Sequence, residues 1–330
     1  MVDDVWTVKR ILAWIEDYLA QHGDDKPRAA AQWLVSDALG VSRMQLYLDP
    51  ERPLSADERT VLRDYTRRRA AGEPLQYITG TADFRYITLK VAPGVLIPRP
   101  ETETLVSEAL ALLPAAPKPR ALEDDEIAAL IAKVESGEGV DGAVEAKAAD
   151  AEKTHQPDAL LVADIGTGTG CIACSVAKEH ACVHVVATDV SPDAVALARA
   201  NVEALGLAER VDVMECDLGE GIADDLLGTF DLVVSNPPYI PTAVLDTIPR
   251  EVADFEPTLA LDGGADGLDV FRRLLDWARL ALKPGGALAV ELHEDCLDDA
   301  AAEADYAGFA DARIVRDLAG KPRVLVARKR

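Results

Sequence analysis

No stretch of this chain approaches the unbroken apolar length that a membrane-spanning helix requires, which excludes an integral helical membrane protein. The opening Met1-Val2-Asp3-Asp4 is acidic and lacks the basic flank of a secretion signal, so a cytoplasmic protein is expected. Cysteine is scarce: 5 residues, an odd number, make no disulfide framework and fit reduced thiols. Cys171-x-x-Cys174 has the spacing of a redox or metal pair. No second pair or histidine cluster accompanies it, so both read as small helix residues packed on a sheet, and no metal is expected. Positive charge is the third deficit, with 34 Lys and Arg against 58 Asp and Glu for a formal net charge of −24. Such a field opposes the attraction to phosphate backbones that dominates ordinary nucleic-acid affinity. No direct nucleic-acid partner is expected. The densest basic runs, Arg67-Arg68-Arg69 and Arg328-Lys329-Arg330, read as a solvated face and a solvated end.

What is present divides the chain. With 330 residues and 49% hydrophobic content it is long enough for two domains. Val8, Ile11, Leu12, Ile15 and Leu19 fall at helical spacing over residues 6–21, with His22-Gly23 as a stop. A second helix runs from Arg28 to Leu39 and ends at Gly40; a third opens at the capping box Ser55-Ala56-Asp57-Glu58 and runs to the arginines before Gly72. The spacing therefore predicts a helical domain over residues 1–74. Tyr77 to Ile97, where Phe84, Tyr86, Ile87, Val91 and Val95 are set among turn glycines, reads as a β-hairpin, giving a linker over residues 75–100. Residues 101–330 form the larger domain, interrupted at 113–158 by a low-complexity insertion rich in Ala, Glu, Asp and Lys, with one helix-like piece from Asp124 to Val134.

From Ala159 onward strands and helices alternate. Strands are expected at Leu160–Ile165, Val183–Thr188, Val211–Glu215, Phe230–Ser235 and Ala287–Leu292, with an antiparallel pair at Ala312–Val315 and Val324–Ala327 on one edge. This is an α/β fold with a mostly parallel, doubly wound sheet. Ligands of such sheets bind at the carboxyl ends of the strands.

The most telling strand end is Asn236-Pro237-Pro238-Tyr239. Two prolines stop the strand and leave a stiff, donor-poor loop. Asn236 supplies an amide acceptor, the prolines supply carbonyls without competing N–H groups, and Tyr239 supplies a flat aromatic wall. That combination suits a planar –NH2 group.

The loop Gly166-Thr167-Gly168-Thr169-Gly170 follows Asp164, an acidic residue, in place of the Gly-x-Gly-x-x-Gly spacing of dinucleotide sites. A carboxylate there is unfavourable to a pyrophosphate and favourable to the ammonium and sulfonium of S-adenosyl-L-methionine. Asp189 is expected to accept the ribose hydroxyls, and Asp217 the adenine amino group, with Leu218 covering the ring.

With Gly72–Gly80, Val95–Glu103, Asp164–Gly170, Ser235–Ile240 and Asp317-Leu318-Ala319-Gly320, the chain resembles the bacterial protein-(glutamine-N5) methyltransferases that act on peptide chain release factors. The resemblance implies a class I adenosylmethionine-dependent methyltransferase fold, Rossmann-like with a seven-stranded sheet, a small N-terminal helical domain for substrate recognition and a β-hairpin linker. It also implies that the acceptor is the glutamine of the release factors' Gly-Gly-Gln motif. Asn236 and the Pro237 carbonyl would each accept one amide N–H, Pro238 would stiffen the loop, and Tyr239 would pack on the amide plane. Pro98, Arg99, Pro100 and Glu101 would brace the pocket wall. The insertion is longer than the family usually has, and Leu218 stands where relatives carry an aromatic. Three other readings use the same motif: glutamine methylation of a ribosomal protein, N-methylation of an exocyclic base amine in DNA or RNA, and a non-catalytic adenosylmethionine-binding scaffold. The first has Pro-Arg-Ser-Pro where this chain has Pro98-Arg99-Pro100-Glu101; the second needs a basic channel that a charge of −24 opposes.

Overall fold

The computed structural model describes residues 5–115 and 159–330. The insertion's helix-like piece, Asp124 to Val134, lies outside them.

The amino-terminal unit contains α1 (Val8–Gln21), α2 (Pro27–Leu39), a short α3 (Gln45–Leu48), α4 (Ala56–Ala70) and α5 (Leu75–Thr79). The capping box at Ser55 forms in full, satisfying the free donors at the start of α4. Ile11, Ile15 and Leu19 on one face of α1 bury against Leu34 and Val35 of α2 and Leu62 of α4. The hairpin is shorter than expected. Tyr77-Ile78-Thr79 close α5, and only β1 (Thr81–Phe84) and β2 (Ile87–Lys90) pair, while 91–97 form a loop. Pro74 starts the extra helical turn with its fixed φ, and Gly80, left-handed at φ 75°, ends it.

The larger unit holds α6 (Thr102–Leu112), β3 (Leu160–Ile165), α7 (Cys171–Glu179), β4 (Val183–Asp189), α8 (Pro192–Ala204), β5 (Val211–Glu215) and β6 (Phe230–Ser235). After these come α9 (Arg250–Ala253), α10 (Asp269–Ala281), β7 (Leu282–Glu291), α11 (Leu297–Tyr306), β8 (Phe309–Arg316) and β9 (Pro322–Lys329). The seven-stranded sheet runs in the order β5-β4-β3-β6-β7-β9-β8. Its first five members are parallel, and β9 runs antiparallel to both of its neighbours, β7 and β8. The late strand pair is thus present, but β9 sits inside the sheet and only β8 forms the edge. Side chains alternate faces: Val162, Val234, Ala289 and Val326 pack under Leu105, Val106 and Cys174, while Ala163, Val233, Val290 and Leu325 pack under Phe271, Leu274 and Ala300.

The order of winding reverses between β3 and β6. A crevice opens there, outside the strand ends, the usual ligand position in a doubly wound sheet. Among the described residues no helix is long and apolar enough to cross a membrane.

Candidate active site

A cleft of about 320 Å3 occupies that crevice, lined by Pro98, Arg99, Thr102, Gly166–Thr169, Asp189, Asp217, Leu218 and Asn236–Pro238 among others. Chain segments far apart in sequence meet in it.

The β3–α7 loop forms one half. Gly166 and Gly168 have φ of 74° and 57°, left-handed values that L side chains rarely adopt, and an added Cβ at either would meet nothing within 4 Å. Backbone therefore lies open to the cleft. Asp164 does not line it. Its carboxylate is fully buried behind the loop, where Oδ2 accepts hydrogen bonds from Thr167 Oγ1 (2.6 Å) and Ala173 N (3.1 Å). Burial pushes this carboxyl up to about 7, against the pull of those two donors, and among the described residues Oδ1 has no partner. Gly170 also stays off the lining; Ala198 lies 3.4 Å from the Cβ position it lacks.

Asp189, ending β4, accepts from Gly168 N (2.8 Å) on Oδ2 and from Ser191 N (2.9 Å) on Oδ1, and burial raises it. Each oxygen keeps a second lone pair for a hydroxyl. Asp217 lines the cleft in an ion pair with Arg273 of α10 (2.7 Å), a partner without a sequence signal. Leu218 takes a left-handed φ of 51°, held by Thr188 Oγ1 donating to its carbonyl (2.6 Å). This half fits S-adenosyl-L-methionine: open loop backbone at one end, a carboxylate in the middle, and an apolar side chain at the other end.

The second half contains the Asn-Pro-Pro-Tyr stretch. Asn236, Pro237 and Pro238 line the cleft, and Asn236 Nδ2 donates to Thr102 Oγ1 (3.2 Å) at the start of α6. Among the described residues none donates to Asn236 Oδ1, which remains the amide's uncommitted acceptor. Tyr239 is not on the lining. Its ring packs with the residues beneath α10, 6.4 Å from the His293 ring, and burial beside Glu291 raises its hydroxyl. Gly263 and Gly267 press on it so closely that a Cβ would stand 2.7 Å from Tyr239 Cα or 2.4 Å from its carbonyl oxygen.

Pro98 and Arg99 form wall; Pro100 and Glu101 do not. Nη2 of Arg99 bridges both oxygens of the buried Glu256, at 2.6 and 2.7 Å. Burial raises Glu256 and Arg99 opposes the rise. The same segment reaches the helical unit through Glu251, paired with Arg69 of α4 (3.0 Å), which also binds Asp24 (2.6 Å).

Two family models match the chain, the PrmC N-terminal domain over residues 10–80 and the Methyltransferase small domain over residues 134–250. The release factor glutamine methyltransferase of Geobacter sulfurreducens is 38% identical over 325 residues, covering 98% of both chains. That of Chlorobaculum tepidum is 37% identical over 318 residues, covering 96% of this chain and 95% of its own. The chain belongs to the release factor glutamine methyltransferase family. It is therefore a methyltransferase, and its α/β sheet with an amino-terminal helical unit is the family's fold.

In this methyltransferase the Asp317 stretch is a brace. Asp317 Oδ1 accepts from Ala319 N and Lys321 N (both 2.9 Å), closing the β8–β9 turn, while Oδ2 holds Arg323 Nε at 3.1 Å. Sequence reasoning missed Thr102, Glu256, Arg273 and, most of all, Glu291. The last had a signal: a lone carboxylate closing the apolar run Ala287-Leu288-Ala289-Val290.

Proposed function

We propose that this enzyme transfers a methyl group from S-adenosyl-L-methionine to the side-chain nitrogen of the glutamine in the Gly-Gly-Gln motif of peptide chain release factors. One observation carries the reading: the Asn236 amide is tied by its nitrogen to Thr102, so its oxygen is left to accept at the cleft wall beside Pro237. A carboxamide nitrogen is a weak nucleophile because its lone pair is delocalised into the carbonyl. Two acceptors, Asn236 Oδ1 and the Pro237 carbonyl, would each take one N–H and fix the amide plane, so orientation supplies what reactivity lacks. The bound cofactor supplies the electrophilic sulfonium methyl. Asp189 and Asp217 would hold its ribose and adenine ends, the Gly166–Thr169 backbone its amino-acid end, and Leu218 the adenine face. Apolar Leu96, Ile97 and Ile165 keep water away from the reacting pair. No strong base is needed, because the cationic amide left after transfer is acidic and releases its proton to water. The helical unit over residues 1–74 would recognise the protein substrate, a role supported by its ion-paired contact with the Glu251–Glu256 segment beside the cleft.

The test is to incubate the protein and labelled cofactor with purified release factor, ribosomal protein and nucleic acid in parallel, and to map the methylated residue by mass spectrometry. Label on the Gly-Gly-Gln glutamine is expected. Label on a ribosomal-protein glutamine or a base amine, with none on the release factor, would overturn the assignment.

A further inference from the structure

β6 pairs in parallel with β7, Ser235 against Val290, so the next residues, Asn236 just past β6 and Glu291 closing β7 opposite Val324 of β9, lie side by side. Alternation from Val234 and Ala289 puts both on the face covered by α6, where Thr102 begins. Glu291 is 1% exposed, and among the described residues Oε2 has no hydrogen-bond partner. The hydroxyls of Thr102 and Tyr239 face its carboxylate and favour its ionised form, neither in a formed hydrogen bond; Arg323 faces it from β9, Glu101 from the turn before α6, and the Cys171 thiol from α7. An incompletely satisfied buried carboxylate costs stability, and nothing in the packing requires one here.

We propose that Glu291 is a positioning residue that sets, through Thr102, which end of the Asn236 amide faces the acceptor glutamine. This rests on the proposed function. A threonine hydroxyl has a single hydrogen. When ionised Glu291 takes that hydrogen, the Thr102 oxygen can only accept, and the group it accepts from is Asn236 Nδ2, at 3.2 Å. Oδ1 then faces the cleft. When Glu291 is protonated, its own O–H can donate to Thr102, the Thr102 hydrogen turns toward Asn236, and the flipped amide becomes the better fit. The flipped amide presents N–H groups to the –NH2 of the substrate, donor against donor.

Burial pushes Glu291 up to about 7, with Thr102, Arg323 and Tyr239 pulling it down and Glu101 raising it. The working, ionised form therefore fills as pH rises through that value, and turnover should climb on the acid side and level off above it. The decisive experiment measures kcat for release-factor methylation from pH 6 to 8.5 at saturating cofactor. Glu291→Gln keeps a carbonyl for the Thr102 hydrogen but cannot titrate, so its profile should be flat, with Tm at pH 8 no lower than wild type. Thr102→Val should lower kcat by about 10- to 100-fold, the scale of a misplaced positioning group; Thr102→Ser should restore it, and cofactor Kd by calorimetry should hold throughout. His293→Asn, which alters the ring near Tyr239, should keep the acid limb.

An acid limb that survives in Glu291→Gln, or disappears in His293→Asn, overturns the inference, as does a lowered Tm with an unchanged profile. A wild-type enzyme that leaves the release factor unmethylated defeats the proposed function instead, so the two failures are separable.

Discussion

The two halves of the cleft are held together in opposite ways. On the cofactor side the supporting contacts are local: Thr167 to Asp164 spans 3 residues, Ala173 to Asp164 spans 9, and Gly168 to Asp189 spans 21. On the acceptor side they are remote, since Asn236 to Thr102 spans 134 residues, Arg99 to Glu256 spans 157, and Arg69 to Glu251 spans 182. The cofactor half is built from the consecutive run β3 to β5, with Arg273 of α10, 56 residues from Asp217, as its longest reach. The acceptor half exists only once the helical unit, the loop before α6 and the segment after β6 have assembled. Separate perturbation follows: substitutions on one side should leave the other side's ligand unaffected.

The largest expected effect is that of Asn236→Ala, which should lower kcat by about 100-fold or more, the scale of losing a positioned polar group. Cofactor Kd by calorimetry should stay at the wild-type value. Near-normal turnover would break the comparison at its centre. Asp189→Ala should do the reverse, weakening cofactor binding by about 10- to 100-fold, or about 1.4 to 2.8 kcal/mol, with kcat at saturating cofactor much less affected. An unchanged Kd would show that the local contacts of Asp189 serve the loop alone.

Arg99→Met should come next. Removing one partner of a buried pair leaves the other charge stranded, at about 3–5 kcal/mol when both are fully buried. Arg99 is partly exposed and Glu256 can take up a proton, so a loss of about 1–3 kcal/mol in denaturant unfolding is expected. The deficit should shrink toward acid pH, where the raised Glu256 takes up a proton. KM for the release factor should rise while cofactor Kd does not, and a loss that is constant across pH would contradict the pairing.

Asp164→Asn should show the smallest effect. A carboxyl whose folded value is raised to about 7 from an ordinary 3.8 binds its proton more tightly in the folded protein, so its ionisation costs stability progressively as pH rises between those values. Asparagine removes that cost, keeps an acceptor for Thr167, and should raise Tm at pH 8 relative to pH 5 by several °C against wild type. Calorimetric melting curves with the same pH slope in both proteins would refute this account.

This asymmetry also decides what could be read in the sequence. The parallel strands, the glycine loop, and Asp189 and Asp217 at their strand ends declare themselves through local composition, whereas Asp164 turns behind the loop and off the cleft. Asn236 is legible because two prolines leave the chain no alternative to a stop. The guanidinium of Arg99 was visibly constrained by its flanking prolines, yet its destination, Glu256, was not, because no local pattern ties two residues 157 apart. The same reason hid Arg273 behind Asp217. Tyr239 shows the complementary failure: a tyrosine next to a reactive loop was expected on the substrate side, but glycines at 263 and 267 allow another segment to press on its backbone, and its ring lies near that of His293 off the cleft.

The points where residues 116–158 leave and rejoin the described chain have a practical use. α6 starts beside Asn236 and runs back along the sheet, so Leu113 is buried and the Pro114 carbonyl meets His180 Nε2 (2.9 Å) at the amino edge of the sheet, where Leu160 begins β3. Six strand residues, roughly 20 Å of extended chain, separate that edge from the catalytic mouth. A fluorescent reporter or an immobilisation tag joined close to residue 115 or residue 159 would be attached at the back of the enzyme. The natural sequence thus offers a handle by which a surface could grip the molecule and leave its working side facing the solution.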